Sequence, residues 1–242
     1  TRAVAVELGL DEPASLAELA ARCNVIALCV PADAHVLANV EVIATNAQPG
    51  TIVIDHSTVS SVTAVQACER MRVAGGEFID APVSGGVEGA RNGKLSIMVG
   101  GDASALERAR PVLECYAAKI SHMGGIGAGQ NTKAVNQVLV AGIAQAVCEG
   151  LALGEVLGLD ADSLIPTLLA GAAGNWFLDK RGATMLRDEF QVGFKLGLLH
   201  KDLKIVRELA RDAGTDRSGI EKSLADYAVL MAQGHADDDI SA

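Results

Sequence analysis

Gly124-Gly125-Ile126-Gly127-Ala128-Gly129-Gln130-Asn131-Thr132-Lys133-Ala134-Val135-Asn136-Gln137 is the stretch at which this chain changes architecture. Before it, short apolar runs alternate with helix-like segments; after it the strand signal disappears. The glycines read as a turn that opens directly into a long helix. On that helix Lys133, Asn136 and Gln137 stand at i, i+3 and i+4 and share one face. A cation held beside fixed carboxamides can protonate or polarise a carbonyl oxygen. Taken alone, a solvated first turn with an incidental lysine is the favoured reading of the segment.

Working outward, the N-terminal half reads as strands at 25–30 (ended by Pro31), 51–55, 78–81, 95–99 and 119–123. The unbroken apolar run 25–30 predicts a strand buried on both faces, as in a parallel sheet covered on both sides. Between the strands, helices are expected at 16–22 capped by Ser15, at 33–44, at 63–73 and over 102–115 with Pro111 inside it. Strands alternating with helices predict an α/β fold with a doubly wound sheet. The second half predicts helices only, at 131–157, 161–170, 176–185, 200–213 and 218–232. The expected domains are therefore 1–126 and an all-helical 127–242. The first helix of the second domain is expected to join the halves and carry Lys133 into a cleft between them, where ligand pockets favour domain interfaces.

A second segment bears on function. In Asp80-Ala81-Pro82-Val83-Ser84-Gly85-Gly86 a strand runs into a turn that offers a hydroxyl and two unobstructed backbone N–H groups. Such groups can form an anion-binding nest, and a carboxylate is the obvious small anion. An ordinary strand-to-helix loop would look the same.

Composition narrows the classes. The 242 residues are half hydrophobic, contain 26 glycines and only 3% aromatics, so a globular core of Ala, Val, Leu and Ile is expected. A formal net charge of −10 with no basic cluster argues against a nucleic-acid surface. Cys23, Cys29, Cys68, Cys115 and Cys148 lack Cys-x-x-Cys spacing and read as free, mostly buried thiols of a reducing cytosol. No membrane partner is expected, since no apolar run reads as membrane-spanning. Nor is a metal site expected. The five histidines have no ligand spacing, although His56 and His200 adjoin candidate positions, and Asp237-Asp238-Asp239 reads as a solvated turn. Arg91 reads as surface.

These motifs resemble the β-hydroxyacid dehydrogenase family, which includes 3-hydroxyisobutyrate dehydrogenase and tartronate semialdehyde reductase. The resemblance spans nearly the whole chain. It rests on Asp80 to Gly86, on Gly127, Gly129, Lys133, Asn136 and Gln137, and on Lys201-Asp202-Leu203. It implies a Rossmann-like domain followed by an all-α domain, and hydride transfer between NAD or NADP and a small 3-hydroxy acid or semialdehyde acid. Lys133 would be the catalytic proton donor or acceptor. Ser84, Gly85, Gly86, Asn136 and Gln137 would hold the carboxylate-bearing substrate. Val30, Pro31, Thr58, Phe194 and Lys201 would contact the cofactor, with Lys201 also a candidate for the cation that lowers the Lys133 pKa. Read without the family, Thr58 is a helix N-cap and Phe194 is core. Gln137 and Ser96-Ile97-Met98-Val99-Gly100-Gly101 lean toward the tartronate semialdehyde reductase branch. The family also implies a homodimer or homotetramer. A Gly-x-Gly-x-x-Gly fingerprint does not occur in the chain, and about the first 35 to 40 residues of a family member are expected to be absent. Two alternatives stand beside this reading. One is a truncated, non-catalytic relative serving as a binding or oligomerisation module; the other is a phosphogluconate-type dehydrogenase.

Overall fold

A computed structural model describes residues 2–242, the side chains of residues 2 and 3 excepted. Thr1, the first residue of the expected N-terminal domain, lies outside the described residues. The chain divides into two compact units. The first comprises Thr1–Gly85 and Gly89–Lys133, the second Gly86–Glu88 and Ala134–Ala242.

The first unit opens with helices α1 (Arg2–Glu7) and α2 (Leu16–Arg22), strand β1 (Val25–Leu28), helix α3 (Asp33–Asn46), strand β2 (Ile52–Asp55), helix α4 (Ser61–Val73) and strand β3 (Glu77–Asp80). It continues through β4 (Val83–Ser84), α5 (Gly86–Arg91), β5 (Leu95–Gly100), α6 (Ala103–Leu113) and β6 (Ala117–Gly124). The strands lie in the order β1-β2-β3-β5-β4, with β6 also beside β5. β1, β2 and β3 are parallel, with Leu28 opposite Asp55 and Asp55 opposite Asp80. β5 meets β3 and β4 antiparallel and β6 parallel, so the sheet is mixed.

Period-two alternation explains the two cores. Val53 and Phe78 face one side with Val40, Ile43 and Met71 of the helices α3 and α4. Ile52, Ile54 and Ile79 face the other side with Leu106, Ala109 and Leu113 of α6. β2 is consequently buried at every position, as expected of a doubly wound Rossmann-like sheet. The strand at 25–30 departs from expectation. It is shorter, and Ala27 is exposed, because β1 is the edge of the described sheet and one of its faces is uncovered there.

Helix starts follow the caps. Ser15 Oγ accepts from Glu18 N and Ser60 Oγ from Thr63 N, so Ser60 and not Thr58 is the cap of α4. α1, β4 and α5 have no counterpart among the elements expected from the sequence. The cysteines are free but not buried: Cys29 and Cys115 are exposed and the other three half-buried, since they sit at element ends or on solvent-facing helix flanks.

Helix α7 (Ala128–Val156) runs through the end of the first unit into the second. The second unit adds α8 (Ala161–Leu169), α9 (Trp176–Met185), α10 (Leu196–Asp212) and α11 (Ser218–Ala232), so it is helical throughout apart from loops and a 3₁₀ turn at His235–Asp237. Ala141, Ala144, Val147 and Leu151 form the buried stripe of α7, packed with Leu199, Leu203 and Val206 of α10 and Ile220 and Leu224 of α11. Contrary to the sequence expectation, α7 is long and apolar enough to cross a membrane by length and composition, because its Val, Leu, Ile and Ala residues give an 18-residue stretch a mean hydropathy of 1.5. Its alanine stripe is nonetheless packed into the helical core. Its other faces carry Gln145 and Glu149 among apolar residues.

Gly129 explains how α7 reaches the sheet. A Cβ there would stand 2.7 Å from the Asp80 carbonyl oxygen and 2.8 Å from Asp80 Oδ2. Gly129→Ala should therefore destabilise the first unit by roughly 1–3 kcal/mol or more through overpacking. Urea unfolding would show it as a lower midpoint at unchanged slope.

Candidate active site

Asp55 and Asp80 end neighbouring strands, side by side in register, and both are wholly buried. The Asp80 carboxylate caps the start of α7: Gly127 N donates to Oδ1 at 2.7 Å and Gln130 N to Oδ2 at 2.8 Å. First-turn N–H groups lack partners within a helix, and the helix dipole favours an anion there. Burial pushes the Asp80 pKa up, and these N–H bonds oppose the shift. Asp80 opens the segment that the resemblance assigns to the substrate carboxylate, and its own side chain holds the lysine-bearing helix.

Gln130 is 3% exposed. Its Oε1 accepts from Val59 N at 3.2 Å and its Nε2 donates to Ser57 O at 2.8 Å. Ser57 Oγ accepts from Val30 N, and Ser57 N donates to Asp55 Oδ1, each at 2.9 Å. The loops after β1 and β2 are thus stitched together at the carboxyl ends of parallel strands, where open α/β sheets place ligands. Val30 and Thr58 are half-buried there and Pro31 is exposed. The Val30 N–H is engaged by Ser57, so any ligand contact through Val30 must use another atom.

Lys133 follows Gln130 by one turn. It is 7% exposed, and Nζ donates to Val83 O at 2.9 Å. Val83 directly precedes Ser84, Gly85 and Gly86. Ser84 is half-buried in β4 opposite Ser96, and the next two residues have φ of 127° and 60°.

In the second unit Asn136 Nδ2 donates to Gln137 Oε1 at 2.8 Å, and Gln137 Nε2 donates to Asp202 Oδ2 at 2.6 Å. Gln137 is 1% exposed, and its amide, held by Asp202, orients that of Asn136. Lys201 Nζ lies 2.9 Å from Asp202 Oδ1, and Lys201 sits in the second turn of α10, which starts four residues earlier than expected. Phe194 packs against the helical core.

The acidic 237–239 segment is not a solvated turn throughout. Asp237 and Asp238 pair with Lys195 and His235 at the surface, but Asp239 is 1% exposed. Asp239 Oδ2 accepts from Gly193 N at 2.7 Å and Phe194 N at 3.0 Å, and Oδ1 accepts from Ser241. Gly193 O in turn accepts from Val87 N at 3.4 Å, and a Cβ on Gly86 would lie 3.2 Å from that same carbonyl oxygen.

His56 is structural. Nδ1 donates to Ala81 O at 2.7 Å, which leaves Nε2 to accept from Tyr116 at 2.8 Å, and burial lowers its pKa. His200 is buried too, its pKa lowered by burial and by Lys204 and Arg207. Arg91 is exposed, and among the described residues no cluster suits a metal ion. The residues that sequence reading passed over are Asp55, Ser57, Gln130 and Asp239. The first left a signal, a charge closing the apolar run Ile52-Val53-Ile54, and so did Asp80 after Phe78-Ile79.

Residues 2–125 match the family model for the NAD binding domain of 6-phosphogluconate dehydrogenase. Residues 127–242 match that for NAD-binding of NADP-dependent 3-hydroxyisobutyrate dehydrogenase. An uncharacterized oxidoreductase of Synechocystis is 39% identical over 230 residues, covering 94% of this chain and 79% of the relative. The chain belongs to the β-hydroxyacid dehydrogenase family. Its cofactor is NAD or NADP. The 2-hydroxy-3-oxopropionate reductase of Escherichia coli is 38% identical over 162 residues, which is 67% of this chain and 56% of the reductase, so the chain spans little more than half of that relative. Among solved structures, a Mycobacterium tuberculosis 3-hydroxyisobutyrate dehydrogenase with L-serine superposes with a TM-score of 0.88 at 34% identity, covering 99% of this chain and 84% of the other.

Two outcomes follow from the buried carboxylates. Asp239→Ala strands the Gly193 and Phe194 donors, at a cost of about 1–3 kcal/mol for each donor that stays dry, and should lower the thermal midpoint of the second unit. Asp55 is pushed up to about 6, chiefly by burial and also by Asp80 and Asp33, against an ordinary value of 3.8. A raised acid favours the fold below its unfolded pKa, and that advantage is lost as pH rises through the folded pKa. Asp55→Asn should therefore gain stability relative to wild type as pH climbs from about 4 to about 7; a flat difference in denaturation midpoints across that range would contradict the assignment.

Proposed function

We propose that this NAD(P)-dependent oxidoreductase interconverts a small 3-hydroxy acid and its semialdehyde acid, of the 3-hydroxyisobutyrate or tartronate semialdehyde type. The observation that carries the reading is the buried Lys133 ammonium, 2.9 Å from the carbonyl of the residue preceding Ser84-Gly85-Gly86. An amine and the Ser84-Gly85 part of a potential carboxylate-binding turn thereby belong to one unit. The relatives named for 3-hydroxyisobutyrate and 2-hydroxy-3-oxopropionate are of nearly equal identity, 39% and 38%, so they support the class and not one member.

On this reading the Ser84 hydroxyl and the backbone N–H groups of Gly85 and Gly86 hold the substrate carboxylate. Gly86 is the first residue of α5, so its N–H points out of that helix. Lys133 Nζ exchanges its bond to Val83 O for one to the substrate oxygen, giving a proton when a semialdehyde is reduced and taking one when a hydroxy acid is oxidised. Nicotinamide, when bound, supplies or takes up the hydride. Asn136, one helical turn from Lys133, orients the reacting end through an amide fixed by Gln137 and Asp202. Thr58 and Pro31 are the first unit's candidate cofactor contacts, and Phe194 and Lys201 are those of the helical unit. Lys201 acts there as an ion pair with Asp202. A homodimer or homotetramer acting in the cytoplasm completes the proposal.

The reading is tested on the full-length protein with a panel of small semialdehyde acids and both NADH and NADPH. Lys133→Ala should reduce kcat by roughly 10²- to 10⁴-fold while leaving the thermal midpoint near that of wild type. Near-normal turnover by this variant would remove Lys133 from the chemistry.

A further inference from the structure

Two pairs of residues form a closed frame in the first unit. Asp80 and Val83 stand three positions apart at the end of β3 and the start of β4. Gln130 and Lys133 stand three positions apart on α7. Gln130 N donates to Asp80 Oδ2 at 2.8 Å, and Lys133 Nζ donates to Val83 O at 2.9 Å. The frame fixes the height of the lysine amine over the sheet end. The Gln130 side chain leaves it in a third direction, donating to Ser57 O and accepting from Val59 N, and so grips the backbone on both sides of Thr58.

The contact is particular to a carboxamide. One backbone acceptor and one backbone donor face its two ends, so a single orientation satisfies both; the flipped amide would set donor against donor and acceptor against acceptor. At 3% exposure, water does not replace either partner readily. A side chain needed only for packing at this site would be apolar.

We propose that Gln130 is a positioning residue that holds the cofactor ledge at Ser57–Val59 in register with the Lys133 amine. The inference rests on the function proposed above, because it takes Lys133 as the proton-transferring group and residues 57–59 as a dinucleotide contact. It predicts that dinucleotide affinity and proton transfer depend together on one buried amide that touches neither cofactor nor substrate.

Three proteins test it, each full length: wild type, Gln130→Met and Gln130→Glu. The readouts are the Kd for NADH or NADPH from fluorescence titration, kcat and KM on a semialdehyde acid, and hydrogen exchange at Val59. Gln130→Met keeps the shape and loses both bonds. It should weaken dinucleotide binding and lower kcat, each by roughly 10- to 100-fold, with substrate KM changed less. Gln130→Glu keeps the acceptor for Val59 N and regains a donor for Ser57 O only when protonated, and burial beside Asp55 and Asp80 raises the pKa of such a carboxyl. Its Kd relative to wild type should therefore recover as pH falls from about 8 to about 5.5, whereas the Gln130→Met ratio stays flat. A Gln130→Met protein that binds and turns over like wild type overturns the proposal, as does a Gln130→Glu ratio indifferent to pH. If neither variant folds, fast exchange of the Val59 amide in wild type overturns it, and slow exchange that tightens further with dinucleotide supports it. The two readings fail differently. A wild-type protein inert with every semialdehyde defeats the proposed function and this inference with it, whereas active wild type and dead Lys133→Ala beside a normal Gln130→Met defeat this inference alone.

Discussion

The structure of the first unit depends on where α7 begins, and a buried carboxylate decides that. Asp80 is taken out of water completely, which is costly for a charge unless donors surround it. The donors are the first-turn N–H groups of α7, which need an acceptor themselves. Each group removes the penalty of the other. Gly129 makes the approach close enough, since a side chain there would collide with the Asp80 backbone. Once the helix start is fixed, Lys133 falls one turn further along, within reach of Val83 O.

The same device recurs in the helical unit. Asp202 receives the amide of Gln137 and the ammonium of Lys201, and Asp239 gathers backbone donors from Gly193 and Phe194. The net charge of −10 is therefore not all solvating surface. Several acidic residues are buried organisers, each tying a loop or helix end to its neighbours. Asp55 is the least satisfied: among the described residues its Oδ2 has no hydrogen-bond partner, and burial pushes its carboxyl up to about 6.

Much of this was legible in the sequence for physical reasons. Glycines mark breaks and apolar periodicity marks elements, so α2, α9 and α11 emerge with the bounds expected of them. The face of Lys133, Asn136 and Gln137 follows from helix spacing alone. What stayed hidden was the partner of each polar side chain. Spacing shows that Gln137 shares a face with Lys133; it does not show that Asp202, sixty-five positions later, claims its amide. Asp239 looked solvated because its two acidic neighbours are, and only the fold reveals that the third side chain turns inward. β1 was misjudged for a similar reason: composition marks a strand as apolar, whereas burial depends on what lies beside it.

The clasp at Asp239 has a consequence for how the chain is made. Gly193 and Asp239 are separated by 46 positions, and the Gly193 carbonyl supports the short segment at Gly86 and Val87, which groups with the helical unit although it is translated far earlier. The sheet can assemble on a nascent chain while that segment still waits for its support. A chain not yet extended to Gly193 lacks the carbonyl that accepts from Val87 N, so the Gly86–Glu88 segment can settle only after the sheet's own residues have been made.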